Sequence, residues 1–194
     1  RLIIGPSVDH EHPVALAAVA FHGDGGIDLA VANYYGYDPD GFLIPGAGDG
    51  SVLRGKGDCT FRAQVTYAMS SNPTAIVAGD FNSDARTDLA VATQGDDTVS
   101  VLLGNGDGTF AHQATYAVGS EPAALVPGDF NGDGWIDLAV ASQGDNALSV
   151  LQGIGNGTVQ PKPPDTERTT APASARGART DARGRNRAET TYTP

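Results

Sequence analysis

The residues of this chain whose types and spacing could do chemistry are oxygen-bearing side chains set at every second position. In Asp129-Phe130-Asn131-Gly132-Asp133-Gly134-Trp135-Ile136-Asp137, the side chains of Asp129, Asn131, Asp133 and Asp137 stand at positions 1, 3, 5 and 9 of a tight turn. Alternate side chains of such a turn can converge on one point, and a backbone carbonyl near Trp135 can fill position 7. Hard oxygen ligands of that number suit Ca2+. Gly132 and Gly134 supply the positive backbone angles that the wrap requires.

The first six positions satisfy the opening of an EF-hand loop, but position 12 is Val140 and not the bidentate Glu of that pattern. The flanks, Pro122-Ala123-Ala124-Leu125-Val126 and Leu138-Ala139-Val140-Ala141, are short and β-compatible. The loop is therefore read as joining two strands. It recurs 49 residues upstream, where Asp80, Asn82, Asp84 and Asp88 take the same positions and Arg86 stands where Trp135 does. Ser83 and Ala85 replace both glycines there, which predicts an occupied but weaker site. A third copy lies a further 60 residues upstream, with Ala20 and His22 at positions 1 and 3 beside Asp24 and Asp28. Two of its four side-chain ligands are missing, so it is expected to be weak or empty, with Asp24 and Asp28 capping backbone amides.

The repetition extends past the loop. Val99-Ser100-Val101-Leu102-Leu103-Gly104-Asn105-Gly106-Asp107-Gly108-Thr109-Phe110 has counterparts beginning at Gly50-Ser51-Val52-Leu53 and Leu148-Ser149-Val150-Leu151. A period near 50 residues points to solenoids or propellers. The segment GDFNGDG through DLAVA, followed by VSVLLGNGDGTF, resembles the FG-GAP/VCBS repeat of integrin α-subunit propellers and of many bacterial secreted or surface proteins. The resemblance covers residues 13 to about 159. It implies an all-β fold of four-stranded antiparallel propeller blades, with calcium in the hairpin between the first two strands of each.

That frame divides the chain into residues 1–12, the outer strand of a preceding blade or a linker; 13–72, blade one with a degenerate loop; 73–121, blade two; 122–159, an incomplete blade three; and 160–194, a disordered tail. The tail has no Val, Ile, Leu, Met, Phe or Trp from Gln160 onward, too little to offset the entropy of ordering. Three blades do not close a ring, since propellers have about four to eight. The chain is expected to be part of a larger protein or of an oligomer. Its start at Arg1 suggests a mature or truncated segment.

Composition limits the function. Residues 1–160 carry five basic and 19 acidic residues, and the whole chain has a net charge of −11. An acidic body argues against a nucleic-acid groove. No apolar run approaches the ~20 residues of a membrane span. Cys59 is the only cysteine, so calcium would have to supply any cross-linking of hairpins. The body holds two glutamates and one lysine, with no paired-carboxylate or Ser-His-Asp arrangement outside the repeated turns, so no enzyme activity is expected.

Blade one carries 11 extra residues between its second and third strands, within Asn33 to Asp49. Such a loop would face away from the calcium loops, on the ligand face by resemblance to integrin-like propellers. Tyr34, Tyr35 and Tyr37 are candidates for contact with a protein or glycan ligand, or else they cover the blade edge. His10-Glu11-His12-Pro13 reads as a linker. The glycine-rich runs at 46–50 and 104–108 read as hairpin turns, and Asn156-Gly157-Thr158 is a glycosylation sequon. Phe21, Phe81 and Phe130 are expected to plug contacts between blades. The leading expectation is an extracellular, secreted or cell-surface binding or adhesion module with structural calcium; the alternatives are a supporting propeller of a carbohydrate-active enzyme, or a lectin.

Overall fold

The structure is a computed structural model that describes residues 11–35, 48–69 and 71–161. Residues 1–10 of the expected outer strand or linker, most of the insertion including Tyr37, and the tail from Lys162 lie outside the described residues.

Among the described residues, short β-branched and apolar runs bounded by Gly, Pro, Asn and Asp give twelve strands and no helix. Blade one contains β1 (Glu11–Val19), β2 (Asp28–Tyr35), β3 (Gly48–Leu53) and β4 (Val65–Met69). Blade two contains β5 (Pro73–Gly79), β6 (Asp88–Thr93), β7 (Thr98–Gly104) and β8 (Phe110–Ala117). Blade three contains β9 (Pro122–Gly128), β10 (Asp137–Ser142), β11 (Ala147–Gly153) and β12 (Val159–Pro161). Each set forms one four-stranded antiparallel sheet in chain order, so the architecture is an incomplete propeller. Asn33, Tyr34 and Tyr35 continue β2, and Asp49 belongs to β3.

Each blade opens on the same irregularity. Register shifts between Pro13 and Ala15 and between Pro73 and Ala75 leave one residue unpaired, and a shift opposite Pro122 does the same in blade three. Proline has no N–H to give the ladder, so a bulge at the strand's first turn accommodates it. In blade two the skipped residue, Thr74, donates its hydroxyl to the Pro122 carbonyl at 2.6 Å and ties one blade to the next.

The core lies between blades. One cluster joins Phe21, Ala30 and Val52 of blade one to Ile76, Leu89, Val91, Leu102 and Phe110 of blade two. The other joins Phe81, Ala90, Ala92, Val99 and Val101 of blade two to Leu125, Leu138, Val140, Leu151 and Val159 of blade three. Strand β6 is buried along its whole length because it faces a neighbour on both sides. Each buried Val, Leu or Phe contributes about 1.5–3 kcal/mol. Phe110 also meets Phe21 edge-on at 5.2 Å and Tyr67 at 5.9 Å.

Three expectations are corrected. Glu11, His12 and Pro13, read as part of a linker, instead open β1 and pair with Tyr35, Tyr34 and Asn33 of β2. Blade three does not lack its outer strand: Val159, Gln160 and Pro161 pair with Gly153, Gln152 and Leu151. The reason is local, since Asn156 turns the chain as Asp107 does, its side-chain oxygen accepting the Thr158 N–H at 2.9 Å and the Thr158 hydroxyl at 2.6 Å. Phe21 and Phe81 plug blade contacts at 3% and 2% exposure, but Phe130 is 52% exposed. Among the described residues no blade follows blade three to receive it.

Candidate metal-binding loops

The hairpins β5–β6 and β9–β10 hold the two complete sets of oxygen side chains, and their geometries match except that Asp129 accepts one amide, that of Gly132, with no counterpart in loop two. In loop two, Asp80 accepts the N–H groups of Asp84 and Ala85 at 3.1 and 2.9 Å. Asn82 accepts the Asp84 N–H and donates its amide to the Asp84 carboxylate, which accepts the Arg86 N–H. In loop three, Asp129 accepts from Gly132, Asp133 and Gly134; Asn131 accepts the Asp133 N–H and donates to Asp133; and Asp133 accepts the Trp135 N–H at 2.9 Å. These are stacked Asx turns, in which the side chains at positions 1, 3 and 5 hold the loop backbone.

The wrap needs two left-handed residues. Gly132 and Gly134 take φ of 77° and 90°, while Ser83 and Ala85 are forced to 62° and 64°. For residues with a Cβ that conformation costs about 1–2 kcal/mol each.

Position 9 differs in kind from the others. Asp88 and Asp137 have no exposed surface. Asp88 accepts the Phe81 N–H with one oxygen and the Gly104 N–H, at the end of β7, with the other, at 2.9 and 2.8 Å. Asp137 repeats this with Phe130 and Gly153. Each therefore pins its loop to the third strand of its own blade. Gly104 and Gly153 are required there, because a Cβ would run into the carbonyls of Thr87 and Ile136. Sequence reasoning missed this role, although the 16-residue interval from Asp to Gly shared by blades two and three was visible.

Charge is balanced differently in the three loops. Burial pushes the Asp88 carboxyl above its ordinary range, opposed by the amides of Gly104 and Phe81, and the charges of Asp84 and Asp80 push it further up. The carboxyl of Asp129 is held low chiefly by the Gly134 amide, and that of Asp84 by the Arg86 amide. Arg86 reaches to 3.8 Å from Asp84, an exposed pair of small worth. In loop one, Asp28 keeps the pin through Phe21 and Gly55, both at 2.8 Å. The imidazole of His22 lies 2.7 Å from Asp28 and 2.6 Å from Asp24, replacing Asn with a group that can carry positive charge.

The third hairpin of each blade shares this edge. Arg86 lies over Gly106 and Trp135 over Gly155 of their own blades, while the Gly157 N–H of blade three reaches back to the Phe81 carbonyl of loop two at 3.0 Å. Among the described residues, no three His, Cys, Asp or Glu side chains converge as a metal cage, since the carboxylates are turned to loop amides. The donor set is nevertheless the one a hard cation takes, and a carboxylate oxygen that accepts one amide keeps a further acceptor site. Of the tyrosines considered for a ligand face, Tyr34 is half-buried at the end of β2, opposite Gly48.

Comparison with known families gives three matches to the FG-GAP-like repeat, at residues 21–91, 80–140 and 129–183. No curated protein matches the chain.

Proposed function

The chain belongs to the FG-GAP-like repeat family, and from that premise we propose that it is a non-catalytic, calcium-stabilised binding or adhesion module of the extracellular space. The residues that would hold calcium are Asp80, Asn82, Asp84 and Asp88 in loop two and Asp129, Asn131, Asp133 and Asp137 in loop three, with the backbone carbonyls of Arg86 and Trp135. When bound, the cation neutralises carboxylates that otherwise repel one another. One observation carries the reading: loop one holds its own compensating group, His22, between two carboxylates, whereas loops two and three place a neutral Asn there. Secretion is supported by the family's habitual occurrence in extracellular proteins, and no described helix is long and apolar enough to cross a membrane. The partner is proposed to be a protein or glycan.

Isothermal titration of the chain with calcium, with magnesium as control, tests the reading. Two sites are expected, at the roughly 10⁻⁴ to 10⁻³ M affinity of extracellular modules, one lost in Asp80→Ala and the other in Asp129→Ala. Absence of calcium-specific heat would refute it.

A further inference from the structure

Three asparagines of this chain precede a glycine: Asn105-Gly106, Asn131-Gly132 and Asn156-Gly157. In such a pair the glycine nitrogen can attack the asparagine Cγ, because no Cβ on the second residue shields the approach. All three asparagines are exposed, and the three glycines take φ of 79°, 77° and 82°. Neither access of water nor backbone angle separates the pairs. Hydrogen bonding does. The Gly132 N–H donates to Asp129 at 2.7 Å, and Asp133 holds both ends of the Asn131 amide. The Gly157 N–H donates to the Phe81 carbonyl at 3.0 Å, and Asn156 Oδ1 accepts the N–H and the hydroxyl of Thr158. Each of these pairs must give up several bonds before its glycine nitrogen can turn onto Cγ. The Gly106 N–H makes no hydrogen bond among the described residues. The Asn105 side chain is tied only through its Nδ2, which donates to the Thr109 hydroxyl at 2.9 Å. Arg86 also lies against Gly106, its Nε 3.4 Å from where a Cβ would stand. A positive charge there favours the nitrogen anion and the oxyanion that form during attack.

We propose that Asn105 is a site of spontaneous deamidation in the folded protein, with water as the only co-reactant. The Gly106 nitrogen loses its proton to hydroxide and forms a bond to Asn105 Cγ. The Cγ–Nδ2 bond then breaks, and the nitrogen leaves as ammonia with a proton from water, which restores the hydroxide and closes a cyclic imide. Water adds to either imide carbonyl and breaks its bond to the Gly106 nitrogen, leaving aspartate or isoaspartate at position 105. The chain gains a carboxylate beside Arg86, at the tip of the β5–β6 hairpin. The isoaspartyl product also lengthens the main chain inside the turn that the Asn105 N–H closes on the Thr109 carbonyl. The inference does not depend on whether the loops carry a cation.

The test is incubation of the full chain in mildly alkaline buffer at physiological temperature, folded and in guanidinium chloride, with peptide mapping over time. In the folded chain Asn105 is expected to convert at least about tenfold faster than Asn131 and Asn156, whose hydrogen bonds must first break. In denaturant the three rates are expected to converge. Isoelectric focusing of the folded chain is expected to show an acidic species that grows in wild type and not in Asn105→Gln, since glutamine closes the larger ring far more slowly. Asn131 or Asn156 converting as fast as Asn105 in the folded chain would overturn the proposal, as would an Asn105 that stays intact there. An Asn105 that leads by the same factor in denaturant would assign the preference to sequence neighbours and overturn it too.

Discussion

Loop one and loop three share a backbone path and a buried Asp at position 9, yet they differ in what faces the carboxylates. Loop one sets His22 within 2.7 Å of both Asp24 and Asp28. Loop three sets Asn131 beside Asp133, and no described cationic side chain forms an ion pair there. The pairing of hairpin to blade is thus independent of the charge chemistry at its tip. Asp28 and Asp137 perform the first task identically, through two backbone amides each, while the odd-numbered side chains vary.

The largest expected effect tests that separation. Asp137→Ala strands the buried N–H of Gly153 and the part-buried N–H of Phe130, at about 1–3 kcal/mol for the buried group and less for the other, so urea denaturation in chelator is expected to show a loss of roughly 3 kcal/mol. Asp28→Ala is expected to lose a similar amount. If either variant matched wild type without metal, position 9 would not pin the hairpin to its blade. Next in size, calcium at a hundredfold excess over its dissociation constant would add about 2.7 kcal/mol per site, seen as a melting temperature that chelator lowers. Asp133→Ala is expected to remove loop three's share of that response and His22→Gln none of it; an equal response in all three chains would erase the distinction between loops.

A smaller effect is expected from relieving loop two. Ala85→Gly removes a Cβ from a left-handed position and is expected to gain about 1 kcal/mol, whereas Gly134→Ala in loop three is expected to lose a similar amount. Equal stabilities in denaturant would show that the loops tolerate the strain alike. The smallest effect concerns pH. The hydrogen bond to Asp28 raises the proton affinity of His22 above that of an ordinary histidine, against the cost of burial. The stabilisation is then fully present below the unfolded value near 6.5 and fades as pH climbs through the folded one. The stability gap between wild type and His22→Gln is expected to narrow as pH rises above about 6.5, and a gap that stays constant as pH rises would remove the imidazolium from loop one.

Much of this was legible in the chain. The 49-residue period and the alternating and continuous apolar runs placed the strands, because burial on one or both faces leaves a period that needs no tertiary information. The Asx positions were legible for the same reason, since a side-chain oxygen two residues before an amide finds it locally. Blade three's outer strand was hidden, because three residues ending in Pro161 carry no period. The contact of His22 with Asp28 was equally hidden, because His at a ligand position reads as a loss.

By itself, the sequence determined the blades, their order and the loops that could take a cation, all properties set by neighbours within a few residues or by a repeat that copies them. Only the tertiary structure decided which of three near-identical phenylalanines is buried and what the position 9 carboxylates do. Exposure belongs to the next blade, not to the residue, and the amides of Gly104 and Gly153 reach Asp88 and Asp137 only once β7 and β11 have paired.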